Sequence, residues 1–176
     1  MFTVLLTGPP GVGKTSVLTA LVDALTGHDV PHAAIELETL AWTHPALSDE
    51  RWLQYVKTTC ALYREAGHQL LLVAETLESD DAADRLHDAL GADESFLVRL
   101  EAQPATSIGR LIERQPESWS GVADLVEHTQ ELALTMPALS GVDLVLSTEG
   151  WRPEAVADRI RAALPNQLVA PASSRR

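Results

Sequence analysis

One stretch, Gly8-Pro9-Pro10-Gly11-Val12-Gly13-Lys14-Thr15, restricts the possible folds of this chain more than any other. It fits G-x-x-x-x-G-K-[ST], a loop whose glycines let backbone N–H groups turn inward around an anion. Such a loop works only in one local context, between a strand that delivers it and a helix whose N-terminus adds its positive dipole end. Both flanks are present. Phe2-Thr3-Val4-Leu5-Leu6 is a short apolar, β-branched run that reads as a buried strand. Past the lysine, Val17, Leu18, Leu21, Val22 and Leu25 recur at helical spacing. The motif therefore implies a phosphate site at Gly8, Gly11, Val12, Gly13, Lys14, Thr15 and Ser16. Lys14 would reach the outer phosphates, and the Thr15 hydroxyl would join a Mg²⁺ shell.

The rest of the chain repeats the alternation of strand and helix. Ala33 to Glu38 reads as a second strand with an acidic end, and Glu36 and Glu38, two apart, would point the same way if it runs that far. In an open parallel sheet ligands lie beyond the carboxyl ends of the strands. These acids would then orient an acceptor hydroxyl or hold Mg²⁺ through water, the other reading being a solvated strand end. Gln69 to Glu75 is a continuous apolar run closed by an acid, as expected of a central strand buried on both faces, and Glu75 is a candidate metal carboxylate. Phe96–Leu100 and Val142–Leu146 supply a fourth and a fifth strand.

Helix signals fill the intervals. Gly27 is placed to take a left-handed cap after the first helix. Ser48 and Ser79, each followed by two acids, read as N-caps, and Pro104 and Pro153 as first helical residues. Arg110 and Arg114 are four apart and share a helical face next to the segment Gln115 to Gly121. They read either as a pair leading into a lid (about 114–121) that brings positive charge to a transferring phosphoryl group, or as solvent ion pairs with Glu113 and Glu117. Trp42 and His44, past the second strand, and Trp119, in the lid, are either acceptor-wall residues or loop packing; His128 reads as an exposed or core-edge histidine.

Composition narrows the partners. A chain of 176 residues suits one domain, here 1–165, with a polar tail at 166–176 expected to fray. A formal net charge of −12 argues against nucleic acid as a partner, though not against a nucleotide held by a few groups in one pocket. Cys60 is the only cysteine, which excludes an internal disulfide and fits a reducing cytoplasm. No run is long enough to span a membrane, and the N-terminus carries no secretory pattern. No feature specifies an oligomeric state.

Taken together, the loop after the first strand, the acids closing the second and the arginine pair after the fourth resemble the P-loop small-molecule kinases of the shikimate, gluconate and adenylyl-sulfate kinase group. The acid-Leu-acid and Trp-x-x-Pro sequences at Glu36–Glu38 and Trp42–Pro45 are also similar to actinobacterial-type P-loop proteins. The resemblance implies an α/β fold of three layers, with a five-stranded parallel sheet of order 2-3-1-4-5, helices on both faces and a lid. It implies ATP and Mg²⁺, with transfer of the γ-phosphoryl group to a hydroxyl of a small molecule. By resemblance, Lys14 steadies the β/γ-phosphates and Glu36 and Glu38 position or deprotonate the acceptor. Arg110 and Arg114 contact adenine and phosphate, and Thr148 and Gly150 border the adenine. The chain lacks the glycine triplet that shikimate kinases carry after the third strand, having Glu75-Thr76-Leu77-Glu78 instead, and offers few arginines between Glu36 and Arg64. Neither shikimate nor a nucleoside monophosphate is the expected acceptor. Two other readings share the phosphate loop: a nucleotide-binding regulatory protein with negligible turnover, and a simple NTPase.

Overall fold

The computed structural model describes residues 1–115 and 120–170. Five strands, β1 (Phe2–Thr7), β2 (Ala33–Glu36), β3 (Leu70–Ala74), β4 (Glu94–Glu101) and β5 (Leu144–Ser147), form one parallel sheet in the order β2-β3-β1-β4-β5. The helices are α1 (Lys14–Gly27), α2 (Asp49–Glu65), α3 (Asp80–Leu90), α4 (Pro104–Arg114), α5 (Val122–Thr135), α6 (Pro153–Ala163) and the short α7 (Asn166–Val169).

Strand periodicity explains why the sheet is covered twice. Val4 and Leu6 of β1, with Leu70 and Leu72 of β3, face a core completed by Val17, Leu21 and Leu25 of α1 and by Val156 and Ile160 of α6. The intervening Leu5, Leu71 and Val73 face a second core with Val56 and Cys60 of α2 and Leu86 and Leu90 of α3. Both faces of β3 are thus apolar, which is why its sequence is a run rather than an alternation. Cys60 is a packed core thiol, 1 % exposed.

The helix ends follow the expected chemistry in most places. Ser48 and Ser79 accept from the N–H groups of Arg51 and Ala82, and Pro104 and Pro153 open α4 and α6. Gly27 departs from expectation. It continues α1, and the left-handed conformation falls two residues later, on Asp29 (φ 53°), while the His28, Asp29 and Val30 N–H groups close on Leu25 and Thr26 carbonyls. Burial of Val30 (3 % exposed) against the α1 core carries the turn past the glycine. The expected pairing of Glu36 and Glu38 along one strand is also corrected: β2 stops at Glu36, and Leu37–Ala41 turn into a 3₁₀ helix whose Leu37 is fully buried. At the other end, where fraying is expected from about Asn166, one helical turn forms and its Val169 packs against the first core. Residues 171–176, and 116–119 of the expected lid with Trp119, lie outside the described residues.

Register brings the functional ends level. Glu36 lies beside Ala74, Ala74 beside Leu6, and Leu6 beside Val98, so the chain leaves β1, β2 and β3 on one edge of the sheet. β1 sits between β3 and β4, the point where the winding reverses and where a parallel sheet opens its crevice.

Candidate active site

The loop from Gly8 to Gly13 joins β1 to α1, and its glycines are required by what lies behind it. A Cβ on Gly11 (φ +77°) would come within 2.1 Å of the Ser107 carbonyl of α4, and one on Gly8 (φ +149°) within 2.5 Å of the Leu100 carbonyl of β4. The loop is pressed against β4 and α4 on one side, and around Gly13 the other side is open.

Lys14 is the first residue of α1 and only 9 % exposed. Its Nζ donates to the Gly8 carbonyl (2.8 Å), the Pro9 carbonyl (3.5 Å) and Thr76 Oγ1 (2.8 Å), and lies 4.0 Å from Glu38 Oε1. Burial lowers its pKa, with Glu38, Glu75 and Glu36 opposing the shift and Arg114 adding to it. Thr76 Oγ1 in turn donates to Glu38 Oε1 (3.3 Å). A short chain of polar contacts therefore runs from the loop lysine to the end of β2 through a residue just past β3.

These groups share a cavity of about 390 Å³ lined by Lys14, Thr15, Glu36, Glu38, Thr76 and Arg114, among others. The two glutamates meet there by different routes, Glu36 from the strand and Glu38 from the 3₁₀ turn. Arg114 reaches the cavity from the last turn of α4. Arg110, one turn earlier, does not line it. Its Nη1 donates to Thr148 Oγ1 (3.1 Å) and the Val12 carbonyl (3.4 Å), its Nη2 donates to the Thr148 carbonyl (3.3 Å), and Thr148 Oγ1 donates to the Val12 carbonyl (2.8 Å). Arg110 and Thr148 instead line a smaller cavity of about 210 Å³ with Ser16 and Trp151, on the β5 side of the loop. Gly150 takes a left-handed turn (φ +69°) just beyond.

Glu75 follows β3 and faces neither of these spaces. Thr76 N–H donates to its Oε1 (2.7 Å), its Oε2 is buried without a partner among the described residues, and it lines a third cavity between α2 and α3. Burial raises its pKa to about 7, with the Thr76 N–H opposing the shift.

Some expected residues stay apart. Trp42 is 81 % exposed, and neither it nor His44 lines these cavities. Other residues join without having been expected. Thr76 carries no motif of its own; its signal was only its position one residue past an acid-terminated buried strand. Glu78 Oε1 accepts from His128 Nε2 of α5 (3.1 Å), and both residues line the phosphate-side cavity. No spacing in the sequence links residues fifty apart on separate elements.

No protein-family model matches the chain, and no curated protein matches it significantly. Solved structures do. A sugar kinase from Janibacter sp. HTCC2649 superposes with a TM-score of 0.69 at 17 % identity, over 97 % of this chain and 98 % of that one. The APS kinase of Mycobacterium tuberculosis, solved with AMPPNP and APS, gives 0.62 at 19 % identity over 90 % and 94 %. The shikimate kinase of Bacteroides thetaiotaomicron gives 0.60 at 15 % identity over 92 % and 97 %. The fold is that of the P-loop small-molecule kinases. The sheet order and the two helical layers are those that the resemblance implies, and the chain spans these neighbours almost end to end.

Proposed function

We propose that the protein is an ATP-dependent phosphotransferase that moves the γ-phosphoryl group to a hydroxyl of a small molecule. The observation that carries this reading is the convergence, on one cavity, of the loop lysine with two carboxylates from β2 and its 3₁₀ turn. A phosphate loop alone needs no such acids. A site that must both hold phosphates and orient a hydroxyl does.

In this reading Lys14 exchanges its contacts with the Gly8 and Pro9 carbonyls for phosphate oxygens, Thr76 keeping the ammonium aimed across the cavity. The N–H groups of Gly11 and Gly13 and the N-terminus of α1 steady the phosphate chain, while the Val12 N–H holds the loop closed on the Pro9 carbonyl (3.2 Å). Arg110, Thr148, Ser16 and Gly150 border the nucleoside on the β5 side, and Arg114 supplies charge where it develops during transfer. Glu36 and Glu38 orient the acceptor hydroxyl, and one of them takes its proton. Bound Mg²⁺ neutralises phosphate charge, a role that needs few protein groups because the ion keeps waters and phosphate oxygens. Thr15 fits it: the residue is exposed to the cavity at the head of α1 and its hydroxyl makes no hydrogen bond among the described residues. Glu75, the other metal candidate in the sequence, lies on the α2–α3 side. Among the described residues no helix is long and apolar enough to cross a membrane.

The test is ADP formation with Mg·ATP, first without acceptor and then with pooled hydroxylated compounds, using Lys14→Ala as the blank. Acceptor-dependent turnover lost in the blank is the expected result, with Glu36→Gln or Glu38→Gln lowering it at least ~100-fold while leaving ATP affinity within about threefold. Steady turnover without acceptor would make the protein an NTPase. Tight ATP binding with no turnover in any pool would make it a regulatory nucleotide binder.

A further inference from the structure

The third cavity, of about 260 Å³, opens between α2 and α3 beyond the C-terminal end of β3. Thr76 and Glu78 line both it and the phosphate-side cavity, so the two adjoin. Trp52, Leu53, Leu77 and Leu86 give it an apolar wall, and the indole is held by its Nε1, which donates to the Leu37 carbonyl (3.4 Å).

Carboxyl groups dominate its lining. Asp49, Glu75 and Glu78 line it, and the cation among its lining residues, Arg85, is already engaged, with Nε 3.0 Å from Asp81 Oδ2 and Nη1 3.8 Å from Asp49 Oδ2. Across the shared rim stand Glu36 and Glu38. Lys14 and Arg114, the cations of that side, are the groups a nucleotide's phosphates would occupy. A carboxylate, sulfate or phosphate on the acceptor would therefore enter among carboxyl groups, with no unengaged cation among the described lining residues to meet it.

We propose that this cavity seats the acceptor, and that the acceptor is a hydroxylated amine with an apolar face rather than an anionic metabolite. This inference rests on the phosphotransferase reading above. The apolar face packs on Trp52, Leu53 and Leu86, where an ammonium also gains from the indole π-face. The amine supplies donors to Glu78, whose present partner is the His128 imidazole, and to Glu75, whose Oε2 has none among the described residues. The hydroxyl then faces the rim at Thr76, toward Glu36 and Glu38.

Two probes isolate the charge. Phenylalaninol and 3-phenyllactate share a ring and a hydroxyl and carry opposite charges at neutral pH. Their binding to the protein saturated with Mg²⁺ and a non-hydrolysable ATP analogue, so that phosphates occupy Lys14 and Arg114, is followed by calorimetry or ligand-observed NMR and does not depend on turnover. Phenylalaninol should bind at least about tenfold more tightly, and the preference should shrink to less than about threefold in Glu75→Gln/Glu78→Gln. Ala82→Leu, which narrows the cavity without touching a charge, should weaken phenylalaninol binding while circular dichroism shows the fold retained. Equal or tighter binding of 3-phenyllactate, no binding of either probe, or an unchanged preference in the double variant would overturn the proposal. If phenylalaninol binds as expected but no pool supports ATP turnover, the phosphotransferase reading fails and the cavity's preference for amines stands.

Discussion

Glu75 is a buried carboxyl whose site disfavours ionisation. Burial at the end of β3 raises its pKa from 4.5 to about 7. The folded protein therefore holds this proton over a range where the unfolded chain has released it. Stability from this group is fully present below about pH 4.5, declines as pH rises, and is gone above about 7. At about 1.4 kcal/mol per pKa unit, the full span is at most about 3–4 kcal/mol. Glu75→Gln should remove this dependence. Thermal unfolding of the metal-free variant should give a midpoint above the parent's at pH 8, with the two converging near pH 4.5. A parallel pH profile for both proteins would show that the carboxyl is solvated. Lys14 is the complementary case, a buried ammonium whose pKa is lowered by desolvation and propped up by Glu38, Glu75 and Glu36.

At the scale of elements, the phosphate loop is a contact surface as much as a ligand site. The Gly11 Cα faces the Ser107 carbonyl so closely that a methyl group there has no room, and its positive φ is unfavourable for any side chain. Gly11→Ala should cost about 3 kcal/mol or more, read as a fall in the denaturation midpoint at constant m-value, and should displace α4 with its two arginines. Gly13 also has positive φ but nothing within 4 Å, so Gly13→Ala should cost only the strain, about 1–2 kcal/mol. Similar losses at both positions would mean that packing against α4 contributes nothing. α4 is tied a second way. Glu149, just after β5, accepts from Gln103 N–H (3.1 Å) and Thr106 Oγ1 (2.8 Å) at the start of the helix. With Arg110 on Thr148, these contacts fix α4 at both ends to the loops that flank the nucleoside side.

For the whole molecule, the sheet sets what the site can be. The parallel sheet, with β1, β2 and β3 ending on one edge, places the loop, the two acids and Thr76 around one opening, and the two apolar cores pack behind it. A ligand bound only by the folded protein then raises its stability by mass action. Mg·ATP at one hundred times its dissociation constant should stabilise the protein by about 2.7 kcal/mol, visible as a rise in melting temperature. Lys14→Ala should lose most of that rise at the same nucleotide concentration. An unchanged rise in the variant would place the nucleotide elsewhere.

Much of this was legible in the chain. The phosphate loop, the buried run of β3, the serine caps of α2 and α3 and the prolines opening α4 and α6 are local signals, each dictated by backbone geometry or by a neighbouring side chain within a turn. Strand order followed from those elements only with a resemblance to help, because the pairing of β1 with both β3 and β4 is a property of the assembled sheet. What the sequence by itself determined is a strand, a phosphate-binding turn and a helix, repeated alternation around them, and acids at strand ends. Only the tertiary structure decided that Glu38 reaches the site from a 3₁₀ turn rather than along the strand, that Arg110 and Arg114 serve different cavities, and that Thr76, Glu78 and His128 belong to the site. It also turned Glu75 toward α2 and α3. The physical reason is range: caps, turns and periodicity act over a few residues, whereas the direction of a side chain beyond a strand's end depends on which distant surface is packed against it.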